Sequence, residues 1–65
     1  MKVKGLQIDI AIAEKGYKRA EFARECGVNP STLRCLIKNN STTMYTAVKI
    51  AKALNVPVTD LIAEE

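Results

Sequence analysis

Four consecutive residues, Gly27-Val28-Asn29-Pro30, set a helix stop directly against a helix start. Glycine accepts the positive φ needed just beyond a final helical turn. The side-chain oxygen of Asn29 can cap a following helix, and Pro30 suits its first position, where the amide it lacks would be unpaired. Upstream, KRAEFARECG puts Ala20, Ala23 and Cys26 on one side with Phe22 beside them. Arg19, Glu21, Arg24 and Glu25 supply the wetter side, which predicts a two-turn helix. Downstream, Leu33, Leu36 and Ile37 form a buried side and leave Ser31, Arg34, Cys35 and Lys38 around the other, with Asn39 and Asn40 as the end. Two short helices therefore meet at a tight corner.

The flanking segments are also helical in pattern. LQIDIAIAEKG reads two ways: Leu6, Ile8, Ile10 and Ile12 alternate as in a strand, whereas Ile8, Ala11, Ile12 and Lys15 follow a helical face. Gly16 would stop a helix after Lys15, so we read a helix, with a strand beginning at Val3 as the alternative. STTMYTAVKIAKALNV predicts a longer amphipathic helix starting near Thr43, with Ala47, Val48, Ile50, Ala51 and Leu54 inward and Asn55 as its stop. After Pro57, VTDLIAE predicts a last short helix whose apolar positions are Val58, Leu61 and Ile62, with Asp60 near the favourable end of its dipole. The expectation is a compact all-α, five-helix domain over residues 1–65, without a linker, repeat or low-complexity tail.

Sixty-five residues suit one domain, and a chain this short buries only roughly 60% of the surface its unfolded form exposes. One small core follows, which a second subunit could complete. Residues that are 48% apolar, with two prolines and three glycines, argue against wholesale disorder. Ten basic against seven acidic residues give +3, which permits an anionic partner without establishing one.

Several classes fall away. Cys26 and Cys35 lie outside any CxxC, the chain has no histidine, and two thiols are too few for a tetrahedral zinc site, so both are expected reduced and no metal or other cofactor is expected. No stretch reaches the ~20 apolar residues of a membrane span, and Asp9 interrupts any signal core; the expected compartment is the cytosol. Catalysis lacks its usual carriers: there is no glycine-rich phosphate loop, Asp9 and Glu14 are off helical spacing, and Glu21 with Glu25 is a surface pair one turn apart.

Two helices joined by Gly27, Val28 and Asn29 form the helix-turn-helix pattern, whose second helix can enter a major groove. Glycine turns join helices in many all-helical proteins, so spacing alone is weak evidence. Across residues 5 to 63, however, the chain resembles the phage repressor and Cro-like (lambda repressor-like) helix-turn-helix family. The likeness is carried by EKGYKRAEFARECGVNPSTLRCLIKNN and IAKALNVPVTDLI. Relatives carry a leucine-alanine pair before the turn, a glycine and an aliphatic residue within it, and an alanine-leucine pair before the last turn. Phe22 and Ala23, Gly27 and Val28, and Ala53 and Leu54 stand at those positions.

The resemblance implies a sequence-specific double-stranded DNA-binding transcriptional regulator, and its departures shift the residue roles. Pro30 and Ser31 replace polar base-reading residues; Pro30 offers only apolar contact, so direct readout falls chiefly on Ser31 and Arg34, with Thr32 at the flank. Cys35 matches a groove-facing position and could pack against a thymine methyl. Arg19 replaces a glutamine that helps clamp a phosphate. Lys18, Lys38, Asn39 and Asn40 are further phosphate candidates, as are the backbone amides near Arg19. Asn29 combines capping with approach to phosphate, and Thr42, Thr43 and Tyr45 lie where family members approach the DNA backbone or minor groove. Ile12 and Ile37 replace an arginine-glutamate pair, which favours contact between helix one and the recognition helix without the desolvation cost of a buried pair.

The family likeness also implies a homodimer on a partly palindromic operator, with Val56, Val58, Leu61 and Ile62 as the candidate interface. Repression by blocking polymerase is expected, with RNA polymerase or a regulatory protein as a further partner. A phage, plasmid or bacterial chromosomal regulator fits. The competing reading is a protein-binding helix-turn-helix module such as an antirepressor, which the weakly polar Pro30 and Cys35 leave open.

Overall fold

Ile8 and Ile12, one turn apart, commit the first segment to a helix, because together they reach the same apolar interior. In the computed structural model, which describes residues 1–63, α1 spans Gly5–Glu14, α2 Arg19–Cys26, α3 Pro30–Asn39 and α4 Met44–Leu54. The strand alternative is settled in favour of the helix. Ahead of α1, Lys2 and Val3 each form a single antiparallel bridge, to Ser41 and Ile62 respectively.

The core is built from Ile8 and Ile12 of α1, Phe22 and Ala23 of α2, Leu33 and Leu36 of α3, and Ala47, Ile50, Ala51 and Leu54 of α4. Val3, Val28 and Leu61 close it from the connecting segments. Ile37 and Cys26 pack against it while half-buried. Ala20, expected on the inner side of α2, is exposed instead; the α2 helix is seated by Phe22 and Ala23, which leaves Ala20 at the rim facing α3. Tyr17 adds an edge-on aromatic contact to Phe22, with ring centroids 5.9 Å apart.

The expected fifth helix is replaced by a single 3₁₀ turn at Val58–Asp60. The backbone that would have continued it pairs with the N-terminal segment: the Lys4 amide donates to the Leu61 carbonyl at 2.8 Å, and the Ala63 amide donates to the Lys2 carbonyl at 3.0 Å. Those bonds flank the bridge between Val3 and Ile62, which takes the chain out of helix just beyond Leu61, and the apolar Leu61 is buried without a helix. Residue 64, the last of the expected helix, lies outside the described residues.

One close approach positions α3. A Cβ on Gly5 would overlap the Ile37 carbonyl oxygen and the side-chain oxygen of Asn40. The absent side chain lets the start of α1 touch the end of α3, where the Gly5 amide donates to Asn40 Oδ1 at 3.1 Å. Asn40 itself ends α3 at φ 55°, a left-handed conformation that asparagine tolerates better than most residues.

Candidate nucleic-acid interface

The corner between α2 and α3 has the local geometry its residues prescribe. Gly27 sits at φ 75°, and the Val28 amide donates to the Ala23 carbonyl at 2.8 Å, which closes α2. Asn29 Oδ1 accepts from the Ser31 amide at 2.8 Å, and Pro30 occupies the first position of α3. Lys49 of α4 braces this corner: its Nζ donates to the Gly27 carbonyl at 3.3 Å and lies 4.6 Å from the Tyr45 ring centroid. A cation there also complements the carbonyl end of α2.

With Leu33 and Leu36 buried, α3 turns Pro30, Ser31, Thr32, Arg34, Cys35 and Lys38 to solvent. Shallow grooves flank this ridge. On one side Arg19, Ala20, Pro30, Ser31 and Arg34 line an open depression of about 350 Å³. On the other, Ser31, Thr32, Cys35, Leu36 and Asn39 meet Ser41 and Thr42 around about 400 Å³. The residues expected to read bases are thus together on one exposed helical face.

The expected phosphate contacts divide into free and engaged groups. Lys18, Lys38 and Asn39 are exposed. Arg19 is also exposed, but its Nε and Nη2 donate to the two carboxylate oxygens of Asp9, each at 2.9 Å. Those hydrogen bonds hold the Asp9 carboxyl below its ordinary range, against the opposing effect of partial burial, and raise the pKa of Arg19. At the start of α2 the Lys18 amide donates to Glu21 Oε1 at 3.0 Å, so a carboxylate already answers one of the amides there.

Asn40 is exposed and engaged through its oxygens: its side-chain oxygen accepts from the Gly5 amide, and its carbonyl accepts from the Val3 amide at 2.9 Å. Thr42 is half-buried and its amide donates to the Met1 carbonyl at 3.0 Å. Thr43 caps α4, its hydroxyl oxygen accepting from the Thr46 amide at 3.3 Å. Tyr45 is 71% exposed and stands clear of the core.

Of the expected dimer contacts, Leu61 is only 4% exposed and belongs to the core, which removes it from any outer surface. Val56, Val58 and Ile62 are half-buried. Asp9 and Lys49 escaped the sequence reading as contributors to this face. Asp9 lies ten residues before Arg19 across a turn, and Lys49 twenty-two after Gly27; neither spacing marks a contact in advance.

Among the described residues no cluster of histidine, cysteine, aspartate or glutamate could hold a metal ion, and no helix is long and apolar enough to cross a membrane. Comparison with known families matches residues 8–61 to the one described as helix-turn-helix. Comparison with curated proteins and with solved structures returned no match.

Proposed function

The chain belongs to the helix-turn-helix family of DNA-binding domains, whose members bind DNA and are not catalysts, and from that membership we propose that it is a sequence-specific transcriptional regulator of the phage repressor and Cro-like type. The observation that carries the reading is the exposed face of α3, where Ser31, Arg34, Cys35 and Lys38 stand clear of the core. A major groove admits a helix of this kind, and the face offers the polar and cationic groups that base edges and phosphates accept.

In this reading Arg34 donates to a base edge, preferably guanine O6 and N7, and Ser31 hydrogen-bonds beside it. Pro30, Thr32 and Cys35 supply apolar and flanking contact. Lys38, Lys18, Asn39 and Arg19 hold phosphates, with Asn29, Asn40, Thr42, Thr43 and Tyr45 along the backbone's path. The protein acts as a homodimer on a partly palindromic operator and represses by obstructing polymerase.

Selection of a preferred duplex from a random pool, followed by anisotropy titration, tests this. Arg34→Ala is expected to lose about 1–3 kcal/mol of discrimination at one base position. Lys38→Ala should weaken all duplexes alike and lower the salt slope by about one. Unchanged binding by both variants would sink the assignment and favour the protein-binding alternative.

A further inference from the structure

We propose that Asp9 is a positioning residue for Arg19, holding its guanidinium as a pre-oriented phosphate fork on the rim of the groove between α2 and α3. The inference rests on the DNA-binding reading above and assigns a role within that interface to a side chain of α1.

An exposed arginine ordinarily samples many rotamers, and binding a phosphate requires it to stop in one. Here the Asp9 carboxylate takes Nε and Nη2 in two parallel bonds of 2.9 Å each, the geometry that best fixes the plane of a guanidinium. Arginine carries five N–H donors. This pair occupies the edge formed by Nε and one hydrogen of Nη2, and among the described residues no further acceptor meets the guanidinium. Its remaining donors, on Nη1 and the outer side of Nη2, are left for a ligand.

Location supplies the second argument. Arg19 lines the same groove as Pro30, Ser31 and Arg34, and its side chain is 45% exposed while paired. The free edge is therefore available next to the recognition helix, and phosphodiester oxygens fit a planar fork of this kind. Asp9 also offsets much of Arg19's charge at long range, so what the pair contributes is orientation more than attraction. The rival role for the carboxylate, masking Arg19 from DNA, predicts the opposite sign of change on its removal.

The test measures affinity for the selected duplex at fixed salt for the wild-type protein, Asp9→Ala, Asp9→Glu, Arg19→Ala and the double variant. Asp9→Ala is expected to weaken binding about three- to tenfold, in the lower part of the range of coupling within one hydrogen-bond network, and Asp9→Glu to restore part of it. In the Arg19→Ala background, Asp9→Ala should add nothing. Scanning the duplex with neutral methylphosphonates separates this from a merely structural effect: one phosphate should matter to the wild type, less to Asp9→Ala, and not to Arg19→Ala. Equal or tighter binding by Asp9→Ala, with Lys38→Ala still weakened, overturns the inference alone. Failure of the wild-type protein to bind any duplex overturns the DNA-binding reading and this inference with it.

Discussion

Cys26 and Cys35 show how one residue type takes opposite environments on adjacent helices. Cys26 is half-buried, its Sγ 3.6 Å from the Ala23 carbonyl. Burial pushes its thiol pKa up, with backbone hydrogen bonds and Lys49 pulling weakly the other way, while Cys35 stands exposed on α3. Since the thiolate is the reactive form, a thiol reagent at neutral pH is expected to label Cys35 promptly and Cys26 only slowly. Mass spectrometry of the partly labelled protein checks this, and equal rates would contradict it. The sign for stability follows from the raised folded pKa: the contribution of the neutral Cys26 thiol is intact below the unfolded thiol's pKa and is lost as pH rises through the folded one. Cys26→Ser should alter the alkaline limb of a denaturation profile and leave the acid limb unchanged. The inward tilt of Cys26 was legible in the alternation of KRAEFAREC, whereas the exposure of Ala20 was not, because only the seating of Phe22 decides how far α2 rolls toward α3.

At the scale of elements, the helix boundaries follow local chemistry, and the junctions between helices follow close approach. Asn29→Ala removes the oxygen that satisfies the Ser31 amide and is expected to cost about 1 kcal/mol. Gly5→Ala is expected to cost more, about 1–3 kcal/mol, because the new methyl meets the Ile37 carbonyl oxygen and the Asn40 side chain and must separate α1 from α3. Urea titrations of the two variants should rank them in that order; a Gly5→Ala protein as stable as wild type would mean that the α1–α3 junction yields freely. Asn29 was readable as a cap from its place before Pro30. The need for glycine at position 5 was not, since its neighbours arrive from more than thirty residues downstream. The final segment makes the same point: Val58, Leu61 and Ile62 have helical spacing, yet the bridge from Ile62 to Val3 ends the helical path after the 3₁₀ turn.

The described residues measure 30 × 21 × 19 Å, so one copy would cover about one half-site of the proposed operator, where recognition helices lie roughly 34 Å apart. At about 0.05–0.15 kcal/mol per residue, a chain of 65 residues has little stability beyond that of its single core. The proposed homodimer would supply a second recognition helix, and with Leu61 buried its proposed contact contracts to Val56, Val58 and Ile62. Val58→Lys is expected to leave binding to an isolated half-site near the wild-type level and to abolish the steeper binding to a duplex with two half-sites. Sedimentation on both duplexes checks it; retained two-site cooperativity would place the subunit contact elsewhere.

Local chemistry determined the corner between α2 and α3, the cap of α4 and which side of α3 is oily, since caps, glycine stops and apolar periodicity act within a few residues; the start of α1 lacks a side-chain cap of its own and has its first amide met by Asn40. The family likeness that points to DNA was readable for the same reason. Only the tertiary structure decided that Asp9 meets Arg19, that Lys49 braces the Gly27 carbonyl, that Asn40 clasps Gly5 and that Leu61 is core. Each of those contacts joins segments whose approach depends on how the helices pack, and nothing in the spacing along the chain encodes that distance.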